Sequence, residues 1–447
     1  MFENDAVRPV AYRKFDRPTP DWFVRAKLGI FVHWGPYSVP AWAEPIGELG
    51  TIDRKYWYTH NPYSEWYFNT IRVDGSPAQR HQLEVFGGAP YDQFLDDWTA
   101  HDFSASDVMS LIARTGARYF IPTTKHHDGV TLWDAPGTAG RNSVHRGPRR
   151  DLIGEFRQAA VAAGLKFGVY YSGGLDWHFH ASAPIVDDHL ADRPNDAAYA
   201  EYAYSQVADL IDRYHPDILW NDIEWPDAGK ESGASSLVEL FSHFYDISPN
   251  GVINDRWGQT HWDFRTSEYE EDRSNEGYSA WENTRGIGYS FAYNQLEDSS
   301  NSLNGDAAIR HFVDVASRGG NLLLNVGLTA DGLIPALQMH TLEALAAWNE
   351  VNGSSVFDSI PLDHEIAPPS DSPWTRWTRS DDVAHAFVSV DEGPVRIELN
   401  PDRIAVESGH FVDGTPAEFS KDGRELMLEN RPAAVEAGPI QISFTLR

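Results

Sequence analysis

The chain has no cysteine, few basic residues and no long apolar run, and each absence excludes a class of protein. Without cysteine there is no disulfide, thiolate metal site or cysteine nucleophile. The 36 basic residues face 66 acidic ones, so the formal net charge of −30 repels nucleic-acid phosphates and anionic lipids. Because no run of about 18 apolar residues occurs, no segment is suited to span a membrane. We therefore expect neither nucleic acid nor a membrane as a partner.

Several familiar motifs are missing as well. There is no glycine-rich phosphate loop of the Walker or dinucleotide type and no G-x-S-x-G, so nucleotide enzymes and serine hydrolases lack support. The stretch MFENDAVRPVAYRKFD lacks the apolar core of a signal peptide. We therefore expect a cytoplasmic protein, and the absence of cysteine fits that location.

Aromatic residues, in contrast, are abundant, with 16 Trp and 19 Tyr in 447 residues. Aromatic faces suit the apolar C–H patches of sugar rings, although core packing and contacts in a homo-oligomer would also use them. The hydrophobic fraction of 41% is ordinary for a globular protein and sufficient for a large core.

Up to residue 353, apolar strands alternate with amphipathic helices, which indicates a mainly parallel sheet with helices outside it. The pattern predicts an irregular (β/α)8-like TIM barrel with seven or eight strands. Seven strands are predicted at Leu28–His33, Arg118–Thr124, Lys166–Ser172, Asp217–Asn221, Val252–Asn254, Arg265–Glu268 and Asn321–Val326. Five helices are predicted at Ser106–Arg114, Asp151–Ala163, Ala197–Tyr214, Ser235–Tyr245 and Asp306–Ala316.

Two regions depart from this alternation. Residues 36–100 are rich in Trp, Tyr, Pro and Gly, and we expect them to fold over the barrel mouth and enclose a substrate. Residues 354–447 consist of short alternating segments between turn residues, which predicts an antiparallel β-sandwich. We therefore divide the chain into a catalytic barrel domain, residues 1–353, and a C-terminal domain, residues 354–447, that covers the barrel.

The most informative segment is HPDILWNDIEW, residues 215–225. It predicts a buried strand that ends at Asn221 and is followed directly by Asp222. Parallel α/β barrels form their active sites where the strands end, so Asp222 is the first candidate catalytic carboxylate. An aspartate that caps the following segment is the simpler alternative, but other strand ends also carry polar groups.

Those other strand ends supply imidazole, phenol and guanidinium groups. Two adjacent histidines imply a bend where the second strand ends, because neighbouring side chains on a strand point to opposite faces. Of the two adjacent tyrosines on the third strand, either one is compatible with an inward position. The arginine after the fifth strand offers a permanently charged planar donor, with a simple ion pair as the alternative. The residues concerned are His33, His126, His127, Tyr170, Tyr171 and Arg256.

A second acid is expected to partner Asp222, because cleavage of a glycosidic bond uses two carboxyl groups, one ionised and one protonated. The segments DFRTSEYEED and WENTRGIG supply the candidates Glu268, Glu270, Glu271, Asp272 and Glu282. Periodicity alone does not choose among them, because Glu268 and Glu270 share one face of an extended strand.

A metal site is an alternative, because His178 and His180 form an H-x-H pair of the kind used by barrel metallohydrolases. The pair lies in a predicted loop, and its flanks supply no obvious third ligand. We therefore expect no catalytic metal and no cofactor.

Seven blocks of sequence resemble the α-L-fucosidases of glycoside hydrolase family twenty-nine. In order, they are WFVRAKLGIFVHWGPYSVPAW, EWY at residues 65–67, TTKHHDGVTLW, LKFGVYYSGGLDW, PDILWNDIEWP, VINDRWG and TSEYEED. The resemblance extends from about Tyr12 to Leu328, and HWG, KHHDG and NDRWG together are highly specific. It implies a catalytic barrel followed by a β-sandwich, retention of anomeric configuration, and no requirement for a metal.

Matched position by position, the resemblance implies that Asp222 is the nucleophile and Glu268 the acid/base, with Glu282 as the alternative acid/base. It assigns substrate binding to His33, Glu65, Trp66, His126, His127, Tyr170 and Arg256, with Trp220 beside the nucleophile. The expected activity is exo-hydrolysis of terminal α-L-fucosyl residues from fucosylated oligosaccharides or glycosides, in two displacements through a covalent intermediate.

Two other functions stay open at this point. One is a non-catalytic sugar-binding protein, against which the presence of both acids argues. The other is a metal-dependent barrel hydrolase that uses His178 and His180. The aglycone, the linkage, transglycosylation and the acceptance of related sugars such as α-L-galactosides are likewise open.

Overall fold

The computed structural model describes residues 8–180, 183–187, 193–231, 233–269, 279–389, 395–422, 425–431 and 437–447. Eight parallel strands form one sheet that curls into a TIM-like barrel. They are β1 Leu28–His33, β2 Tyr119–Lys125, β3 Lys166–Ser172, β4 Ile218–Asp222, β5 Val252–Ile253, β6 Arg265–Glu268, β7 Trp281–Gly286 and β8 Asn321–Gly327. The predicted fold class is confirmed.

The strand order in this sheet is β5-β4-β3-β2-β1-β8-β7-β6. Within the described residues, no strand ladder joins β5 to β6, and two aspartates bridge the seam instead. The Asp263 N–H donates to the Ile253 carbonyl at 2.8 Å, and the Ile253 N–H donates to the Asp263 carboxylate, also at 2.8 Å. The Asp255 carboxylate accepts from the Thr266 N–H at 3.1 Å. These bonds bring the C-terminal ends of β4 and β6 round to the same opening.

Strand β7 was not among the predicted strands. Its sequence, WENTRG, is mostly polar. It was therefore interpreted as part of an acidic cluster rather than as a buried strand. All six residues are buried in the structure. The polar groups are tolerated because they find partners there, as when the Asn283 amide donates to Ser267 Oγ at 2.9 Å.

Eleven helices lie among the described residues, and most of the larger ones begin at a side-chain cap. The five predicted helices are present with bounds shifted by at most two residues, and α11 was missed despite its strong helix formers. The helices are α1 Asp21–Val24, α2 Arg54–Thr59, α3 Tyr67–Thr70, α4 Pro77–Phe86, α5 Asp92–Asp97, α6 Ala105–Arg114, α7 Leu152–Ala162, α8 Ala197–Tyr214, α9 Leu237–Ile247, α10 Gly305–Ser317 and α11 Ala336–Asn352. No helix within the described residues is long and apolar enough to cross a bilayer.

After α11 the chain forms two antiparallel sheets, of six and three strands, around a separate apolar cluster. The predicted boundary between residues 353 and 354 falls in the 3-10 turn Gly353–Ser355. The sequence predicts strands here at Val383–Val390, Val395–Leu399, Ile404–Ser408, Glu425–Leu428 and Ile440–Leu446. The structure has four more, at Ile360–Pro361, Ser370–Asp371, Trp374–Ser380 and Phe419–Asp422. The strands are β9 Ile360–Pro361, β10 Ser370–Asp371, β11 Trp374–Ser380, β12 Val383–Val388, β13 Val395–Glu398, β14 Ile404–Phe411, β15 Phe419–Asp422, β16 Glu425–Leu428 and β17 Ile440–Leu446.

Candidate active site

A cavity of about 200 Å³ opens where the barrel strands end. All ten residues that the sequence assigned to catalysis or substrate binding line it. They are His33, Glu65, Trp66, His126, His127, Tyr170, Trp220, Asp222, Arg256 and Glu268. Residues that are far apart in the chain therefore form one site.

Asp222 is the last residue of β4, and its carboxylate is held by three donors. Tyr170 OH donates to Oδ2 at 2.8 Å, and Arg256 Nη1 and the Ile223 N–H donate to Oδ1 at 2.9 and 2.8 Å. Burial raises the pKa of Asp222, but the charge of Arg256, the nearby His127 and the Tyr170 hydroxyl outweigh burial and hold the pKa below its ordinary value. Asp222 is therefore ionised at neutral pH.

Glu268 is the last residue of β6, and it shares the same arginine. Arg256 Nη1 and Nη2 each donate to Glu268 Oε2 at 3.1 Å, and Tyr63 OH donates to Oε1 at 3.0 Å. Burial raises the pKa of Glu268, and the charge of Asp222 raises it further, so that together they exceed the lowering by Arg256. The two carboxyl groups thus have pKa values shifted in opposite directions, as one nucleophile and one acid require.

The shared guanidinium also limits how far apart the two carboxyl groups are. Arg256 Nη1 lies 2.9 Å from Asp222 Oδ1 and 3.1 Å from Glu268 Oε2. These two oxygens are therefore at most about 6 Å apart, the sum of the two distances. The ion pair considered as a simple alternative for Arg256 is real, and its partners are the two candidate catalytic acids.

Three histidines reach the cavity as neutral rings. His33 Nδ1 lies 2.7 Å from Asn325 Oδ1, and His127 Nδ1 lies 2.6 Å from Ser172 Oγ. Burial lowers the pKa of His33 to about 3, that of His127 to about 4, and that of His126 well below its ordinary value. A neutral imidazole offers one donor and one acceptor, which suits a sugar hydroxyl.

The predicted bend after the second strand is present, because β2 ends at Lys125 and both following histidines line the cavity. On β3, Tyr170 faces the cavity, whereas Tyr171 points outward and donates to Gln206 of α8 at 2.8 Å. Strand alternation had left that choice open.

Glu65 and Trp66 lie in a 3-10 turn, Ser64–Trp66, within the long segment that follows β1. The Glu65 carboxylate accepts from Ser290 Oγ at 3.0 Å and from the Ala292 N–H at 2.9 Å. Burial raises the pKa of Glu65 to about 7 despite these donors. The segment 36–100 therefore contributes side chains to the cavity, as expected of a substrate-enclosing excursion.

The model of the Alpha-L-fucosidase family matches residues 4–354. The chain belongs to the α-L-fucosidase family. It is similar to the α-L-fucosidase of Dictyostelium discoideum, with 30% identity over 354 residues, 77% of this chain and 73% of that protein. It is also similar to the tissue α-L-fucosidase of Macaca fascicularis, with 33% identity over 361 residues, 77% of this chain and 70% of that protein.

Among solved structures, the α-fucosidase of Thermotoga maritima in complex with fucose is similar over nearly the whole chain. The TM-score is 0.84 with 39% identity, and the match covers 96% of this chain and 97% of that chain. Together with the family match, this likeness identifies the protein as a glycoside hydrolase of the α-L-fucosidase family, with barrel and β-sandwich in the same order.

The sequence of this α-L-fucosidase family member did not reveal half of the cavity lining. Phe31 had a signal, because it lies two residues before His33 and therefore on the same face of β1. Tyr63, the donor to Glu268, lies in a segment without regular periodicity. The residues missed are Phe31, Leu49, Arg54, Trp57, Tyr58, Tyr63, Ile185, Ile223, Thr284 and Phe291.

In this fucosidase-family site, each acid is followed by a residue in the left-handed backbone region. Ile223 has φ of 68° and Tyr269 has φ of 53°. Such a conformation costs on the order of 1–3 kcal/mol for a residue other than glycine. The turn leaves each acid as the last residue of its strand. Close approach of Gly174 permits this turn, because a Cβ there would lie 2.7 Å from the Ile223 Cβ.

Glu282, the alternative acid/base, does not line the cavity. It lies on β7 two residues before Thr284, which does, and it accepts from Tyr119 OH at 2.6 Å and from Trp220 Nε1 at 2.9 Å. Burial raises its pKa to about 7. The acids at positions 270 to 272 lie outside the described residues.

His178 and His180 are exposed and do not line the cavity. Within the described part of the chain, one group of three metal-type ligands has its atoms within 4.8 Å of one another: His101, Asp102 and Asp331. The two histidines are not part of it. The H-x-H pair therefore has no third ligand among the described residues.

Proposed function

We propose that this family member is a retaining exo-α-L-fucosidase that removes terminal α-L-fucosyl residues through a covalent fucosyl-enzyme. The observation that carries the proposal is the Arg256 nitrogen that contacts both acids and limits their nearest oxygens to about 6 Å. Retaining glycosidases have carboxyl groups about 5–5.5 Å apart, whereas inverting enzymes need about 6.5–9.5 Å to admit a water. The separation supports retention.

In the first step, ionised Asp222 attacks the anomeric carbon and forms an ester, while the bond to the leaving oxygen breaks. Protonated Glu268 donates its proton to that oxygen, so the leaving group departs as a neutral alcohol. The opposite pKa shifts of the two groups support this division of roles.

In the second step, Glu268 takes a proton from water, and the water oxygen replaces Asp222 at the anomeric carbon. The ester has by then removed the negative charge of Asp222, which had raised the pKa of Glu268. Arg256 still contacts Glu268 and lowers its pKa. Glu268 is therefore protonated and able to donate before the ester forms, and its ionised form, which accepts a proton, is favoured afterwards.

The size and depth of the cavity support exo action on a single terminal sugar. Its volume of about 200 Å³ is below the 300–1,000 Å³ typical of pockets for drug-sized ligands. Phe31 and Trp220, both almost fully buried, close its inner end. Neutral histidines and Glu65 are placed to bind ring hydroxyls, and this fixes the sugar against the two acids.

The decisive experiment is Asp222→Ala assayed with an aryl α-L-fucoside. We expect almost complete loss of hydrolysis, with partial recovery in azide and formation of β-L-fucosyl azide, because azide enters from the side that the carboxylate vacated. The matched control is Asp227→Ala, which removes an aspartate that follows β4 and does not line the cavity. Full activity of Asp222→Ala contradicts the assignment of the nucleophile, and release of β-L-fucose as the first product by the unaltered protein contradicts retention.

Two further expectations stay predictions: a cytoplasmic location and activity without a metal. Whether the chain assembles as a homo-oligomer is open. Acceptance of α-L-galactosides, which carry one more hydroxyl at the exocyclic carbon, also remains open. A panel of aryl glycosides assayed on the purified protein tests that specificity directly.

A further inference from the structure

The lining of the cavity is not uniform in chemistry. Five of the residues that line the cavity have mainly apolar side chains: Leu49, Trp57, Tyr58, Ile185 and Ile223, which we call the apolar rim. Leu49, Tyr58 and Ile223 are half-buried, in contrast to the fully buried floor. All five belong to one apolar cluster. A hydroxyl-rich second sugar finds few hydrogen-bond partners on such a wall.

One member of the apolar rim, Trp57, lies next to the acid that protonates the leaving group. The Trp57 ring packs edge-on against Tyr63 at 5.2 Å between centroids, and Tyr63 OH donates to Glu268. The proposed acid protonates the leaving oxygen, so the departing group must lie next to Glu268. Leu49 is held nearby, because its neighbour Glu48 pairs with Arg285 of β7 at 2.7 Å.

The rim is also fixed in place before any ligand binds. Asn69 of α3 is buried, and its side-chain amide forms two hydrogen bonds with the backbone of one loop residue, Ile185. Its Nδ2 donates to the Ile185 carbonyl at 2.9 Å, and its Oδ1 accepts from the Ile185 N–H at 2.8 Å. These bonds hold Ile185 against the cavity, although Ile185 lies 116 positions from Asn69 along the chain. A wall that is ordered in advance loses less entropy when it binds a ligand.

We propose that the apolar rim is a leaving-group subsite that selects α-L-fucosides with an apolar aglycone, either an alkyl chain or an aryl group. The inference rests on the proposed function, because it uses Glu268 to define the leaving-group side. Arg54 at the outer edge is exposed and has a partner of its own, so the subsite is defined by carbon rather than by charge.

The test compares methyl and n-hexyl α-L-fucoside. Their alcohols have similar acidity, so the ratio of the two kcat/KM values reports contacts with the chain rather than leaving-group quality. We expect the hexyl fucoside to be favoured by about tenfold or more, a factor that two buried methylene groups supply. Ile185→Ser and Leu49→Ser should each reduce this ratio about threefold.

Ile360→Ser is the matched control, because Ile360 is 43% exposed on β9, outside the barrel sheet. It should keep the ratio of the unaltered protein. The proposed subsite is contradicted if both fucosides are hydrolysed with a kcat/KM ratio near one. It is also contradicted if the rim variants and the control reduce this ratio equally. In either case the proposed function stands. If neither fucoside is hydrolysed, the proposed function fails and the subsite fails with it.

Discussion

Two of the places inside the barrel that hold carboxyl groups differ in the charge of the groups around them. At the strand ends, Asp222 and Glu268 share the charged Arg256. Lower in the barrel, Glu282 is hydrogen-bonded to Tyr119 and Trp220, both uncharged donors. Burial raises the pKa of Glu282 and of Glu268, but Asp222 has a lowered pKa. At both places burial favours the neutral carboxyl, and Asp222 is kept ionised because Arg256 and its other partners outweigh burial there.

The largest expected effect separates Glu268 from Glu282. Glu268→Ala should lower kcat on methyl α-L-fucoside by about 10³-fold, because this poor leaving group needs the proton, and much less on an aryl fucoside with an acidic leaving group. Steady-state rates on the two substrates measure the difference.

Glu282→Gln is the comparison variant, since its amide still accepts from Trp220. This variant should change the rates on both substrates by the same factor, and azide should not restore its activity. A leaving-group-dependent loss in Glu282→Gln, with none in Glu268→Ala, would transfer the acid role to Glu282.

The next effect removes the charge that distinguishes the two places. Arg256→Met should lower kcat/KM on the order of 10²-fold. Activity requires ionised Asp222 and is lost as the pH falls through its pKa, so removing the cation should move the acid limb of the kcat/KM profile to higher pH. Arg256→Lys, which keeps a charge, should return that limb towards its original position. An unmoved acid limb in Arg256→Met would contradict the electrostatic role.

A smaller effect concerns stability. The pKa of Glu282 is raised to about 7 in the folded protein from an ordinary value near 4.5. Its protonated form is favoured by folding, so this contribution is fully present below the unfolded pKa and is lost as the pH rises through about 7. The loss is at most about 3 kcal/mol.

Urea unfolding at pH 5 and at pH 7.5 measures that loss. In Glu282→Gln the decrease in free energy of unfolding between the two pH values should be smaller than in the unaltered protein. The other buried acids act equally in both proteins, so an identical decrease would show that Glu282 does not titrate as inferred.

The last prediction is that removing metal ions has no effect on activity. A chelator such as EDTA should leave kcat/KM on an aryl α-L-fucoside unchanged, because the proposed reaction uses carboxyl groups and an arginine. Loss of activity that Zn²⁺ restores would favour the metal-dependent alternative, and His178→Ala would then be expected to abolish activity.

Much of the site was predictable because its residues end strands. His33, the pair His126 and His127, and Asp222 follow apolar runs that local periodicity identifies. Arg256 was predictable as a cation at a strand end, but its shared contact with two acids was not. Strand β7 escaped prediction because its polar side chains are buried with partners that lie elsewhere in the chain.

The sequence by itself determined the barrel class, the antiparallel C-terminal region and Asp222 at a strand end, because strand and helix periodicities arise between neighbouring residues. The tertiary structure alone decided that Glu268, rather than Glu282, lies beside Arg256, and that Tyr63 and Ile185 reach the same cavity. The physical reason is that these distances depend on how the sheet curls and where its seam closes. They depend on contacts such as that between Asn69 and Ile185, which no local pattern in either segment encodes.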